Sequence, residues 1–222
     1  KGFAHQYILG LYRVLEEITS RFPDVLFESC SGGGGRFDAG MLYYMPQTWT
    51  SDDTDAIERL HIQHGTSLCY PYSTMGAHVS ASRRANYETK KNVALWGSFG
   101  YELDPDKLTE EEIAEIKEQV KEYHKYYDVI HFGELYRLIT PFENEFKVAW
   151  EFVSEDKKEA LVTVVNIKLP YDNLFFLKLK GLDPEKIYEV EDSGETYSGA
   201  YLMNAGLNLT HKPTGDGISY LI

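Results

Sequence analysis

The chain has 222 residues, 43% of them hydrophobic, which is enough to form the core of one domain or two. Its formal charge of -13 argues against nucleic acids and anionic membranes as partners, because both are bound by clustered Lys and Arg. No apolar run reaches the roughly 18 residues of a membrane span, and no charged-then-apolar leader is seen at the N-terminus.

The first part of the chain alternates helices with short strands. A helical stripe from Phe3 to Phe22 ends at Pro23, and residues 25–29 are predicted to form a short buried strand. A capping box, Thr109 with Glu112, begins the clearest helix. The other predicted elements are strands at 46–51, 66–70 and 98–103 and helices at 57–65, 87–96 and 109–127. This order predicts a parallel sheet with helical crossovers.

The pattern changes to strands near Phe142. Phe146, Val148, Trp150 and Phe152 alternate with polar residues, as in a strand with one buried face. Further strands are predicted at 161–167, 174–179, 187–190 and 219–222, and turns at 172–173, 183–184, 193–194 and 214–217. We place a boundary at about residues 138–146 and divide the chain into residues 1–140 and an antiparallel β domain, residues 141–222.

Two stretches carry the residue types of a ligand site, FESCSGGGGRFD at 27–38 and WTSDDTDAIERL at 49–60. Four consecutive glycines provide backbone freedom and room for the close approach of a ligand. The second stretch places Asp52, Asp53 and Asp55 where an apolar segment turns into a helix. Because both stretches follow predicted strands, we expect them at one rim of a pocket.

Asp52 is the candidate catalytic residue. A carboxylic acid just beyond the C-terminal end of a strand lies on the face where (β/α) barrels build their sites, and it can protonate a glycosidic oxygen. The alternative is that Asp52 or Asp53 caps the following helix. Three carboxylates in four residues are more than a cap needs.

The other candidates also have two interpretations. The glycine run lacks the Gly-Lys-Ser/Thr and GxGxxG patterns of nucleotide sites and is either a ligand loop or a flexible tight loop. Cys30 is expected to be an inert core residue at a strand end. His78, after the predicted third strand, either contacts a ligand or is a structural histidine. Trp49 either stacks on a sugar or belongs to the core.

Cysteine usage bears on the cellular compartment. Cys30 and Cys69 form no CxxC pair and have no clustered histidines nearby, which predicts free thiols rather than a disulfide or a zinc site. We therefore expect a cytoplasmic protein. The chain begins at Lys1 and enters an amphipathic pattern at once, so we also expect it to be a piece of a longer protein.

The stretches at 27–38 and 49–60 resemble the bacterial α-galactosidases of glycoside hydrolase family 36. The same resemblance extends to HGTS at 64–67, MGAHVSA at 75–81 and GYELD at 100–104. The resemblance implies a retaining hydrolase of terminal α-galactosides such as melibiose and raffinose, with no metal or organic cofactor. It matches Asp52 to the general acid/base and Cys30 and Gly33 to the galactose subsite. It also implies a homo-oligomer, since many relatives are tetramers.

The same resemblance implies a partial (β/α)8 TIM barrel, its last four βα units, followed by an antiparallel β-sandwich. The family's nucleophile is an Asp on a strand before the first helix of this chain, so we expect the piece alone to be inactive. A half-barrel exposes sheet edges and apolar surface, which predicts self-association or pairing with the other half. After Ala81 the chain is also several residues shorter than the family pattern.

We therefore predict the C-terminal part of a cytoplasmic α-galactosidase in which Asp52 is the general acid/base and Cys30, Gly33, Trp49 and His78 bind substrate. One alternative is a catalytically inactive carbohydrate-binding or structural fragment. Another is a related α-glycosidase with a different sugar preference.

Overall fold

The computed structural model describes residues 2–82, 84–168, 174–209 and 217–222. The predicted turn at 172–173 and most of the turn at 214–217 lie outside these residues. Within the described residues, no helix combines the length and apolar character that a membrane span requires.

The first part of the chain contains the predicted alternation of helices and parallel strands. Strands β1 and β2 pair in parallel, β3 and β4 pair in parallel, and one bridge, Thr48 to Met75, joins the two pairs. These four strands do not close into a barrel among the described residues. The elements are α1 (Phe3–Arg21), β1 (Glu28–Ser29), α2 (Ala39–Tyr44), β2 (Gln47–Thr48), α3 (Ala56–Ser67), β3 (Gly76–Ser80), α4 (Tyr87–Ala94), β4 (Ser98–Glu102) and α5 (Glu110–Phe132).

The predicted strand at residues 66–70 is wrong, because α3 runs through Gly65 to Ser67. The side chains of its last turn bond back onto the helix: Thr66 donates to the Ile62 carbonyl and Ser67 to the His64 carbonyl, each at 2.8 Å. Arg137, distant in sequence, donates to Ser67 as well. The third strand is instead β3, so His78 lies within a strand rather than after one.

The predicted strand at 25–29 is shorter and less buried than expected. Only Glu28 and Ser29 form a strand, while Val25 and Leu26 are 51% and 88% exposed. Helix α1 has the predicted bounds within one residue, yet its apolar side chains are also largely exposed, including Phe3 at 82%. Self-association through this apolar surface stays a prediction.

The second part of the chain is antiparallel, as predicted. Its main sheet has the order β12-β7-β6-β5, and two short antiparallel pairs, β9 with β10 and β8 with β11, accompany it. The elements are β5 (Glu134–Ile139), β6 (Lys147–Val153), β7 (Ala160–Asn166), β8 (Phe176–Leu177), β9 (Ile187–Val190), β10 (Glu195–Ser198), α6 (Gly199–Asn204), β11 (Leu207–Asn208) and β12 (Gly217–Leu221).

Strand β5 was not predicted, and it changes how the two parts join. It follows α5 after Gly133 and pairs with β6, so the main sheet begins before the predicted division at residue 140. The division into residues 1–140 and 141–222 stays a prediction. The capping box at the start of α5 is confirmed: Thr109 accepts from the Glu112 amide and Glu112 accepts from the Thr109 amide.

Both faces of the main sheet are covered, which the sequence pattern did not indicate. Every residue of β6 from Val148 to Val153 is buried, not only the alternate ones. One face packs against Leu177, Tyr188 and Leu202 of the short pairs and α6. The other face packs against the helices of the first part, with Trp150 stacked on Trp96 at a ring-centroid distance of 4.5 Å.

Glu151 is a fully buried carboxyl group in the middle of this sheet. Its Oε1 accepts from the backbone N–H of Lys180 at 2.5 Å, and its Oε2 has no hydrogen-bond partner in the described part of the chain. Burial raises the pKa of Glu151 to about 8, partly offset by Lys180. The group therefore keeps its proton at neutral pH in the folded protein.

This raised pKa predicts a loss of stability as the pH rises. The folded state binds more protons than the unfolded state between the ordinary Glu pKa of 4.5 and the folded value of about 8. The free energy of unfolding should fall across that window, by up to about 1.4 kcal/mol per pH unit from this group. Glu151→Gln keeps an acceptor for Lys180 without titrating, so urea denaturation at several pH values should show a flatter profile.

Glu189→Gln, at an exposed position on β9, is the matched control and should follow the unsubstituted chain. Parallel pH profiles for Glu151→Gln and the unsubstituted chain would contradict the assignment of a buried, protonated Glu151.

Candidate active site

Asp55 caps the N-terminus of α3. The three acidic residues that precede this helix, Asp52, Asp53 and Asp55, therefore make different contacts. The Asp55 Oδ1 accepts from the amides of Ile57 at 3.0 Å and Glu58 at 3.3 Å. Its Oδ2 accepts from the Ser82 hydroxyl at 2.7 Å. The alternative in which Asp52 or Asp53 caps this helix is therefore wrong, since the N-cap residue is Asp55.

Asp53 and Asp52 have different surroundings. Asp53 Oδ1 accepts from the Asp55 amide at 3.1 Å, and the Asp53 amide donates to Ser51 Oγ at 3.1 Å, so Asp53 is part of a local turn. Asp52 is exposed, and the described residues offer its carboxylate no hydrogen bond or ion pair. Asp52 is thus the one of the three carboxylates that makes no hydrogen bond among the described residues, while Asp53, which is also exposed, makes one.

The glycine loop packs directly against the Asp52 backbone. Gly33 and Gly34 have φ values of +76° and +88°, which side chains rarely adopt. A Cβ on Gly33 would lie 2.9 Å from both the Asp52 nitrogen and the Ser51 Cα, and one on Gly34 would lie 3.0 Å from the Thr50 oxygen. The structure therefore brings the two predicted loops together at the carboxyl ends of β1 and β2.

Cys30 begins the glycine loop directly after β1. Its thiol side chain is exposed, so the expectation of a core residue is wrong. Its carbonyl accepts from the Arg36 side chain at 3.3 Å, which closes the loop on itself. Only Glu28 and Ser29 are in the strand, and this leaves Cys30 at the rim rather than in the core.

Trp49 and His78 meet across the neighbouring strands. Their ring centroids are 4.7 Å apart, and both side chains are half-buried. Glycines at positions 76 and 100 make room for these rings. A Cβ on Gly76 would lie 2.9 Å from the Trp49 ring, and one on Gly100 would lie 2.8 Å from His78 Cδ2. The two predicted ligand residues therefore form one aromatic surface beside the glycine loop.

Arg59 was not predicted, and it connects these parts. It is 2% exposed, and its guanidinium lies 4.5 Å from the centroid of the Trp49 ring. It donates to Thr50 Oγ1 at 2.8 Å and to the Gly76 carbonyl at 3.1 Å. The only signal in the sequence is its place beside Ala56 and Leu60 on the buried stripe of α3.

The electrostatics keep His78 neutral and Arg59 charged near pH 7. Burial lowers the pKa of His78, against the opposing effect of Glu102 and Glu28 and with a smaller contribution from Arg59. Burial lowers the pKa of Arg59 to about 10, against the effect of Glu102 and Asp53. A neutral imidazole both donates and accepts hydrogen bonds, which suits a hydroxyl-bearing ligand.

The site thus combines an exposed carboxylate, a glycine loop with accessible backbone, and an aromatic surface. These groups are suited to binding a neutral polyol ring and exchanging a proton with it. Among the residues that the structure describes, no three His, Cys, Asp or Glu side chains come together as a metal site would require.

Comparisons with known proteins identify two family segments. The sequence model of the Melibiase family matches residues 1–133, and that of the glycosyl hydrolase family 36 C-terminal domain matches residues 147–222. The match to the first family covers more than half of the chain.

Individual relatives are similar over nearly the whole chain. The α-galactosidase AgaA of Geobacillus stearothermophilus is 55% identical over 98% of this chain, which corresponds to 30% of that protein. The bifunctional α-galactosidase/sucrose kinase AgaSK of Mediterraneibacter gnavus is 49% identical over 94% of this chain and 23% of its own length. A variant of AgaA in complex with raffinose has a TM-score of 0.91 at 52% identity, over 99% of this chain and 32% of that one. The chain thus spans less than a third of the length of these relatives.

The close approach of Gly33 to Asp52 leads to a stability prediction. Gly33→Ala should lower the free energy of unfolding, since the new Cβ meets backbone atoms that have no room to move. Gly32→Ala is the matched control, because Gly32 also has a positive φ, +56°, but open space around its Cβ. Both should lose about 1 kcal/mol from backbone strain, and Gly33→Ala about 1–3 kcal/mol more.

Urea denaturation of the two variants measures this difference. Equal losses would contradict the packing of the glycine loop on the Asp52 backbone.

Proposed function

The chain belongs to the Melibiase family, within glycoside hydrolase family 36, and from this membership we propose that it acts in the hydrolysis of terminal α-D-galactosyl residues. The names of the relatives support this activity, and the raffinose complex of AgaA supports substrates of the melibiose and raffinose type. In this proposal Asp52 is the general acid/base of a retaining double displacement. Cys30, Gly33, Trp49 and His78 contact the galactose ring.

The observation that carries the role of Asp52 is the cap formed by Asp55. An Asp between a strand and a helix is ordinarily explained as a helix cap. Asp55 takes that role, Asp53 accepts a hydrogen bond within the turn, and Asp52, exposed beyond the strand end, makes none among the described residues. A carboxyl group in that place is free to approach a glycosidic oxygen.

The reaction proceeds in two steps. In the first, the protonated Asp52 gives its proton to the glycosidic oxygen while a carboxylate nucleophile attacks the anomeric carbon, so that the C–O bond breaks and a galactosyl-enzyme forms. In the second, the Asp52 carboxylate takes a proton from water, and the resulting hydroxide equivalent attacks the anomeric carbon and releases galactose. Two inversions leave the configuration unchanged.

The nucleophile requires a second carboxyl group about 5–5.5 Å from the first. We assign it to the part of the relatives that these 222 residues do not span, with the four parallel strands as the last four βα units of a (β/α)8 barrel. This arrangement is supported by the parallel pairing and by the place of the site at the carboxyl ends of the strands. The antiparallel part would be the C-terminal β-sandwich, and the cytoplasm and a homo-oligomer remain our proposed setting.

The role of Asp52 is tested by Asp52→Ala in the enzyme that contains the complete barrel. We expect kcat/KM for raffinose, whose leaving group needs a proton, to fall about 1,000-fold. The loss for p-nitrophenyl α-galactoside should be much smaller, since p-nitrophenolate leaves without protonation. Azide should raise kcat for the nitrophenyl substrate by attacking the galactosyl-enzyme, and the product should be α-galactosyl azide.

Asp53→Asn is the matched control, since it changes the neighbouring carboxylate and should leave the ratio of the two kcat/KM values unchanged. Normal activity of Asp52→Ala on raffinose would contradict the role of Asp52. An unsubstituted enzyme inactive on every α-galactoside would contradict the proposed function and favour a carbohydrate-binding role.

A further inference from the structure

The junction between β2 and β3 has little backbone pairing. β1 with β2 and β3 with β4 form parallel ladders, but among the described residues a single bridge, Thr48 to Met75, connects the two pairs. Asp52 follows one pair and His78 lies on the other. Something besides the sheet must therefore keep the two pairs in a fixed relation.

The Arg59 side chain lies at this junction. One guanidinium nitrogen donates to Thr50, two residues beyond Thr48, and the other donates to the Gly76 carbonyl, one residue beyond Met75. The two bonds continue the bridge in the direction of the site. A guanidinium is suited to this place because it holds two donors in one rigid plane.

The same side chain supports the aromatic surface. The guanidinium lies over the Trp49 ring, and that ring contacts His78 on its strand. The backbone of Thr50 packs closely against Gly34, and the backbones of Ser51 and Asp52 pack closely against Gly33. The segment from Trp49 to Asp52 is thus held by Arg59 from the core and by the glycine loop at the rim.

Arg59 makes no ion pair with a carboxylate in the described part of the chain, and its Nε has no hydrogen-bond partner there. Glu102 and Asp53 favour its charged form from beyond ion-pair distance. Burying a charged group without a carboxylate partner is costly. The cation–π contact with Trp49 and the two hydrogen bonds to Thr50 and Gly76 offset part of this cost.

We propose that Arg59 is a positioning residue that joins β2 to β3 and thereby sets the distance of the Asp52 carboxyl from the sugar bound at Trp49 and His78. This inference rests on the proposed function. Arg59 does not touch the substrate, so its effect should appear as a loss of proton donation by Asp52 rather than a loss of binding. A displacement of about 1 Å at an acid group is sufficient for a 100-fold loss in rate.

The test compares two substrates in the enzyme with the complete barrel. For Arg59→Met we expect kcat/KM for raffinose to fall about 100-fold. For p-nitrophenyl α-galactoside, which needs little protonation, the loss should be less than about tenfold. Arg59→Lys keeps the charge but cannot make both bonds in one plane, and it should recover part of the activity on raffinose.

Gln63→Met is the matched control on the same helix. Gln63 is 1% exposed, and its side chain donates to the Val93 carbonyl of α4 at 2.9 Å, away from the site. Its replacement, like that of Arg59, should lower the melting temperature, but it should leave the ratio of the two kcat/KM values unchanged. If Arg59→Met does not fold, Thr50→Val removes one acceptor of the guanidinium and should reproduce part of the loss on raffinose.

Equal losses on both substrates for Arg59→Met, as for Gln63→Met, would overturn the positioning role and leave Arg59 as a structural residue. That result differs from a failure of the proposed function, in which the unsubstituted enzyme hydrolyses neither substrate.

Discussion

The contact on which the site depends is the stacking of Trp96 on Trp150, at 4.5 Å, in the core between the helices and the antiparallel sheet. Both indoles are fully buried, and Leu60 of α3 lies in the same core. An aromatic pair of this kind contributes its large buried area and a favourable stacking geometry. The sheet that follows the parallel strands packs against α4 and α5, and α3 reaches the same core through Ala56 and Leu60, so the sheet is not a separate appendage.

The orientation of α3 then decides what the acidic stretch does. With Leu60 in the core, Asp55 stands at the N-terminus of the helix and Arg59 points back under β2. Asp55 accepts hydrogen bonds from two helix amides, and Asp53 accepts one from the Asp55 amide. Asp52 is exposed and makes no such hydrogen bond among the described residues.

The glycine run is the other half of the same constraint. Positive φ angles at Gly33 and Gly34 allow the backbone of one loop to touch that of the next, and any side chain there would separate them. The sequence is also compatible with a flexible loop that binds no ligand. The contacts of Gly33 and Gly34 with residues 50–52 require glycine whether or not a ligand binds. Glu151 is buried in the sheet with a hydrogen bond to only one of its two oxygens among the described residues, and burial raises its pKa so that the carboxyl group is neutral.

Local patterns in the sequence predicted the features whose causes lie within a few residues. These are the long helices α1 and α5 with the Thr109 capping box, the order of parallel and then antiparallel strands, and the two loops that contain Gly33 and Asp52. The sequence pattern did not predict that Asp55 caps α3, that this helix passes Gly65, that both faces of β6 are buried, or where Arg59 lies. The continuation of α3 past Gly65 involves Arg137, and the second buried face of β6 is covered by elements that are distant in the sequence, so a local pattern could predict neither.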